Sequence, residues 1–487
     1  MPFFALIMWP LCAFFIARKM PFEKAVIWSI IVPYLFLPEA FAIKIPALPD
    51  LGKMMAISVG LLIIFAVNRS SLKPPPEESE APLLRLLLLL GFIMVMVAPF
   101  LTVLNNQETL EFGPTVAPAL KLRDGVAQTL SAALAIIPYY FARRYLSSPE
   151  AHRQILVVLV VMGLIYSVLM LVEIRFSPQL HRLTYGFHQH SFLQHIRDGF
   201  RPMMFLAHGL FVGFFIFTSI MAALGLWKAG MGAKWLIAAG WLLLVLLMSE
   251  NLGATVVALL VIAVYLGTGR WLQILFAMGI GFVVFLFPIF RGAGLIPVEA
   301  ISSAAATISE DRSRSLNYRL NNEDISLQLA LEKPVTGWGQ WGRNQAYNER
   351  GEIITIQEGV WIQTITENGW FGYIGLFSLL TLPAMFAIGI WRRKKIPPET
   401  FALIGIATGN LIYIIPTTCL TPVGWMMFGA LAGFALTPSE KAKTKTDVAE
   451  TNAPLSRYTR FAGKQSTVMR DKAIVGSLYH GRAEGQH

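Results

Sequence analysis

The sequence predicts an all-α, polytopic integral membrane bundle of roughly 12–14 transmembrane helices with a large, partly helical loop outside the bilayer. Three observations predict it. Apolar runs recur along nearly all of the 487 residues, 55% of which are hydrophobic. Only 14% are charged, where a soluble chain carries about a quarter. Lys and Arg gather on alternate connections, the pattern that holds cytoplasmic loops in place. The net charge of +11 is read as membrane anchoring, and no nucleic-acid partner is expected. Cys12 and Cys419 lie far apart, in or beside apolar runs, which suggests neither a disulfide framework nor a Cys-based metal site.

In chain order, the run 3–17 has no basic segment before it and is followed by Arg18-Lys19. It reads as a short first span rather than a cleaved leader. Further runs lie at 26–43, 54–67, 84–104, 125–142, 154–173, 203–226, 233–249, 252–268, 272–290, 370–390, 401–418 and 421–437. The segment 69–82, with Pro74-Pro75-Pro76-Glu77-Glu78, reads as a cytoplasmic linker. Arg18-Lys19, Arg69 with Lys73, Arg143-Arg144, Lys228 with Lys234, Arg270 and Arg392-Arg393-Lys394-Lys395 fall on alternate loops. Placing them inside puts the N-terminus outside and the C-terminus inside. Loops 105–124, 174–202 and 291–369 are then outside, facing the periplasm. Residues 1–438 form one transmembrane domain by this reading, and the polar, basic segment 439–487 is expected to be a disordered cytoplasmic tail.

The outside loops depart from the charge rule. Loop 174–202 holds Arg175, Arg182, Arg197 and Arg201, and loop 291–369 holds Arg291, Arg312, Arg314, Arg319, Arg343 and Arg350, with Lys333 the one lysine between them. Arg binds phosphate oxygens through a planar fork, which Lys cannot do, so the set points to anions. The plainer reading is pairing with Glu310, Asp311, Glu323 and Asp324.

Five of the eight His lie between 181 and 208: His181, His188, His190, His195 and His208. The His188–His190 spacing suits a metal only on extended backbone, and no Cys or helical His pair supports it. Pocket-lining imidazoles are expected instead, with no metal and no cofactor. Arg319 is expected near the N-terminal end of an amphipathic helix with Leu316, Leu320, Leu327 and Leu331 on one face, where free N–H groups also favour anions. Pro334 ends that helix, and Gly337 and Gly339 make a turn. Glu358, just before Trp361, is a candidate general base. The spans carry few charges at mid-depth, which weakens an ion-coupled transporter reading.

Two of these patterns carry a family resemblance. Arg319, Pro334 and Gly337-Trp338-Gly339, followed by Q-T-I-T-E-N-G-W-F-G at 363–372, resemble the signature loop of the O-antigen ligase and polymerase superfamily. Ser249-Glu250-Asn251-Leu252-Gly253-Ala254 is similar to that family's turn between two earlier spans. The likeness runs over about 190–380 and is topological elsewhere.

The resemblance implies a GT-C-like membrane glycosyltransferase that needs no metal or nucleotide sugar. Its donor would be a glycan on undecaprenyl diphosphate, transferred to an acceptor hydroxyl outside the cytoplasmic membrane. The acceptor would be another lipid-linked repeat unit in a polymerase, or lipid A-core in a ligase. A flippase and a chain-length regulator are expected as candidate partners. By the same likeness Arg197 or Arg201 supplies the first diphosphate-binding group and Arg319 the second, with Arg314 beside it. The family's ligases carry a His as base eleven residues before the Gly matching Gly369. Here Glu358 stands at that position, so Glu358 is the candidate by position and His208 the reserve. The missing His, together with two Arg-bearing loops able to hold two lipid diphosphates, tilts the reading toward a polymerase. A lipid-linked glycan transporter is the competing class.

Overall fold

The computed structural model describes residues 1–44, 50–72, 74–196, 199–308 and 310–438. The expected tail, 439–487, and Arg197 lie outside the described residues.

Every predicted apolar run is a helix. The described residues form α1 (Pro2–Lys19), α2 (Phe22–Phe36), α3 (Lys53–Asn68), α4 (Pro82–Leu104), α5 (Leu122–Tyr145) and α6 (Pro149–Phe176). Two small elements follow, α7 (Leu180–Tyr185) and a 3₁₀ turn at Phe192–His195. The bundle resumes with α8 (Gly209–Lys228), α9 (Lys234–Met248), α10 (Leu252–Gly267), α11 (Arg270–Phe285) and α12 (Phe287–Gly292). The large loop contains α13 (Val298–Ile308) and α14 (Glu310–Glu332). The chain returns through α15 (Val360–Met385), α16 (Ala387–Arg393), α17 (Pro398–Tyr413) and α18 (Pro422–Leu436).

Among the described residues, six segments have the length and apolarity to cross a membrane: α1, α4, α5, α6, α8 and the α15–α16 pair. Five apolar helices, α3, α9, α10, α11 and α18, have 15 or 16 residues, short of the ~20 that span a ~30 Å core. Three predicted runs overshoot their helices, the seventh by beginning at 203, ahead of the α8 start at Gly209. The second stops at Phe36 because Pro38 follows, and the twelfth stops at Tyr413 ahead of Pro416; the residue before a proline is pushed out of the α region. The loop 105–124 holds a short antiparallel hairpin, β1 (Leu110–Phe112) with β2 (Thr115–Ala117).

Packing follows from which helices are apolar all round. Helix α8 is buried along nearly its whole length and packs against α6, α9, α10 and α17. Helix α18 is buried on every face and packs on α5 and α17. Its Gly429 and Gly433, one turn apart, sit against the backbone of Tyr139 and Arg143, where a Cβ would meet carbonyl oxygens at 2.2 and 2.1 Å. Small residues at this spacing let membrane helices approach closely. By contrast α4 exposes Leu83, Leu86, Leu89, Leu90 and Ile93, the face a lipid phase would cover. At one end of the bundle, Glu78 takes Arg143 at 2.6 Å and Arg144 at 3.5 Å, and Glu80 takes Arg393 at 3.5 Å. Arg143, Arg144 and Arg393, three of the basic residues assigned to one side from the sequence, meet there. The linker that carries Glu78 and Glu80 is thus held by the bundle.

Candidate functional site

The loop after α6 is shaped by one carboxylate. Glu173, buried at the end of α6, accepts N–H bonds from Leu180 at 3.0 Å and from Met203 and Met204 at 2.8 Å each. This ties the start of α7 to the Met203-Met204 segment ahead of α8. His181 is buried in it, accepting from the Glu39 N–H and donating to the Phe187 carbonyl.

Two imidazoles then occupy the N-terminus of α8, where helical N–H groups have no internal partner. His195 donates through Nδ1 to the Ser191 carbonyl (2.8 Å) and accepts the Gly209 N–H at Nε2 (2.9 Å). His208 accepts the Leu210 N–H at Nδ1 (3.1 Å). The two rings lie edge to face, with centroids 4.2 Å apart. Burial, then His195, Arg319 and Arg201, push His208 down to about 3. It is therefore a neutral ring whose proton sits on Nε2, a hydrogen-bond donor there rather than a base. Asn251 caps α10 through the Ala254 N–H and donates to the Gly209 carbonyl at 2.8 Å. Tyr413 donates to the Leu210 carbonyl at 2.9 Å.

These groups wall a cavity of about 950 Å³ at one end of the bundle. Its polar side carries Arg201, Arg319, His208, Glu250 and Asn251; its apolar side carries Leu210, Leu252, Val257 and Ile412. Glu250 holds φ = 54° in the short turn Ser249-Glu250-Asn251 between α9 and α10, a left-handed backbone that costs a non-glycine residue and is retained at functional sites. Its carboxylate lies 3.9 Å from Arg201 Nε.

Arg319 enters this cavity from α14. The helix begins at Glu310, so Arg319 lies near its middle. This corrects the expected placement at a helix N-terminus: the backbone N–H groups there are already used within the helix. The inward stripe also differs from the leucine face. Asn322, Ser326, Leu327 and Ala330 are buried, while Leu331 is exposed. Arg319 projects from the same side as that stripe, three residues before Asn322, at helical spacing. Arg319 Nε lies 2.7 Å from Glu358 Oε2, with about a third of each side chain exposed. Burial raises the Glu358 carboxyl above the usual range against the opposing pull of Arg319. Arg314 is exposed on α14 and is not among the residues lining the cavity.

The Pro334–Gly339 turn and the start of α15 hold this arrangement by backbone pairing. Trp338 and Gly339 N–H groups reach the Thr366 and Glu367 carbonyls at 2.8 and 2.9 Å. Trp370 and Phe371 N–H groups reach the Pro334 and Val335 carbonyls at 2.7 and 3.2 Å. Gly369 adopts φ = 60° and kinks α15 to allow it. A Cβ at Gly337 would meet the Glu367 carbonyl carbon at 2.5 Å, and one at Gly369 would meet that of Val335 at 2.3 Å. The two glycine motifs of the sequence are thus the two halves of one joint.

Two of the loop arginines are structural. Arg291 is buried and pairs with Asp324 at 2.7 Å and Glu323 at 3.6 Å, pinning α12 to α14. Arg343, 1% exposed, donates to the Glu108 and Pro118 carbonyls and to Asn106 and Glu108 side chains. The fold therefore brings Arg201, Arg319 and His208 to one cavity, with Glu358 on Arg319. Sequence reasoning did not single out Asn251 or Tyr413 as wall residues. For Asn251 the signal was a polar pair between two apolar runs; for Tyr413 there was none, since its contact spans 203 positions.

Residues 235–377 match the family model described as O-Antigen ligase. That segment runs from α9 into α15 and includes the Glu250 turn, Arg319, Glu358 and both glycine motifs. Over that segment, about three tenths of the chain, the protein is similar to the O-antigen ligase family, in keeping with the likeness read from the sequence. The match is narrower than the likeness read from the sequence and leaves out Arg201 and His208. No curated protein and no solved structure matches the chain.

Proposed function

We propose that the protein transfers glycan from undecaprenyl diphosphate to an acceptor hydroxyl at the periplasmic face of the bacterial inner membrane, without a metal. The observation that carries this reading is the Arg201–Arg319 cavity with an Arg319–Glu358 ion pair at its edge. Its apolar side suits the lipid end of the donor, and its two guanidinium groups suit a diphosphate. As the glycosidic bond breaks, negative charge grows on the leaving diphosphate, and Arg201 and Arg319 stabilise it in a partly dry site. The acceptor oxygen bonds to the anomeric carbon, and Glu358 takes its proton.

The ion pair gives a sequence to these events. A diphosphate entering the cavity competes for the Arg319 fork. Glu358 then loses the charge that opposed its upward shift and becomes a stronger base as the donor arrives. His208, held neutral, offers Nε2–H to a donor oxygen rather than accepting a proton.

Polymerisation of lipid-linked repeat units is the reading we favour, with ligation to lipid A-core as the second. It rests on Glu358 standing where the resembled ligases have His. The two-loop argument does not add to it, because Arg201 and Arg319 share one cavity, which suits one diphosphate. Deleting the gene separates the cases. Loss of a polymerase leaves single repeat units on the final carrier or blocks a secreted polysaccharide. Full-length chains stranded on undecaprenyl diphosphate would instead assign ligation.

A further inference from the structure

A second cavity opens on the other side of the segment that carries Glu358. Gln357 lines it, while the next residue, Glu358, pairs with Arg319. Likewise Thr417 lines the arginine cavity and Thr418 the second one. The second cavity has about 520 Å³ and continues into a larger groove of about 1250 Å³ along α4, α5 and α15, sharing Gln340, Trp341, Gln363, Glu367 and Thr418 with it.

Its chemistry differs from that of the first. The smaller cavity is lined by five side-chain amides, one carboxylate, one indole and one hydroxyl, with no Arg or Lys. Glu367 accepts from Gln363 Nε2 at 3.1 Å and Gln340 Nε2 at 3.3 Å. A carboxylate facing the smaller cavity with no cation beside it disfavours phosphate there, and the one Arg lining the larger groove, Arg123, stands 3.9 Å from Asp124. The amides present donors and acceptors side by side, which matches vicinal hydroxyls. Trp341 holds φ = 64° and is 64% exposed at the junction of the two spaces. A strained, exposed indole offers a flat apolar face to the C–H side of a sugar ring.

We propose that this groove binds the uncharged sugar units of a glycan, with Trp341 as stacking platform and Gln340, Gln363 and Glu367 as hydroxyl partners. On the glycosyl-transfer reading, on which this assignment of role rests, the groove holds the acceptor strand with its reacting hydroxyl toward Glu358.

The test uses the full-length protein purified in detergent. The probe is the phosphate-free repeat-unit oligosaccharide released from the cell's own surface polysaccharide, followed by saturation-transfer NMR. Undecaprenyl diphosphate is titrated separately. The expected result is oligosaccharide binding to wild type and to Arg319→Ala alike. Trp341→Ala and Gln363→Ala should each weaken it by about tenfold and leave lipid-diphosphate binding unchanged. Absence of binding to wild type, unchanged binding in both groove variants, or loss in Arg319→Ala would each overturn the groove. Intact oligosaccharide binding with no affinity for undecaprenyl diphosphate would keep the groove and refute the donor assignment.

Discussion

At the residue scale, Arg319 and Glu358 form one unit. Arg319→Ala should lower glycan transfer by about 10²–10³-fold, the usual cost of removing a donor aimed at developing charge, with protein level intact. Arg319→Lys should recover little, because a point charge does not reproduce a bidentate fork. Full activity of the alanine variant would remove Arg319 from the site. Glu358→Gln keeps the shape and removes the proton acceptor, so transfer should fall by about 10²–10⁴-fold. As the proposed base Glu358 would act deprotonated, and burial raises its pKa. Wild-type rate should therefore climb with pH through a limb above the ordinary glutamate range, and the Gln variant should lose that limb. Activity within a few-fold of wild type would exclude Glu358. Both residues were legible in the sequence, because an Arg outside the membrane and a carboxylate before an aromatic span stand out locally. The roles of His195, Asn251 and Tyr413 were not, since each depends on a partner that only folding brings near.

At the element scale, the joint between the Pro334–Gly339 turn and α15 sets where Glu358 and Gln363 stand. Gly369→Ala forces a side chain into φ = 60° and into the Val335 backbone. The backbone term alone costs about 1–3 kcal/mol. The apparent Tm in detergent should fall, and glycan transfer with it. Glu173→Ala should act the same way by leaving three N–H groups unpaired, at about 1–3 kcal/mol each; an unchanged melting curve would show that the loop does not depend on that carboxylate. The glycine motifs were visible in the sequence, but not that they pair with each other. Helix α14 was misread at its start because R-S-R-S-L-N-Y is polar and poor in apolar spacing. Its helicity comes from packing on α15 and from the Arg291 anchor rather than from a regular leucine stripe.

At the scale of the whole molecule, the alternation of apolar runs and basic loops was enough to find every long apolar helix, but not the polar α14. Hydropathy reports burial in lipid or protein alike, so it does not distinguish α8, enclosed by other helices, from α4, open on one face. It also runs past proline boundaries, as at Phe36 and Tyr413. The topology proposed here, with the arginine cavity outside, predicts cytoplasmic signals from reporter fusions at 145–150, 225–232 and 440. A periplasmic signal at 440 would reverse it.

Turnover by the purified protein tests the central claim most directly. Wild type in detergent is supplied with an undecaprenyl-diphosphate-linked glycan and an acceptor, and both the glycan product and the freed lipid are measured. The account predicts a longer or transferred glycan with matching release of undecaprenyl diphosphate, both abolished in Arg319→Ala. Donor binding without release of undecaprenyl diphosphate in the presence of acceptor would contradict it and assign the arginine cavity to a carrier.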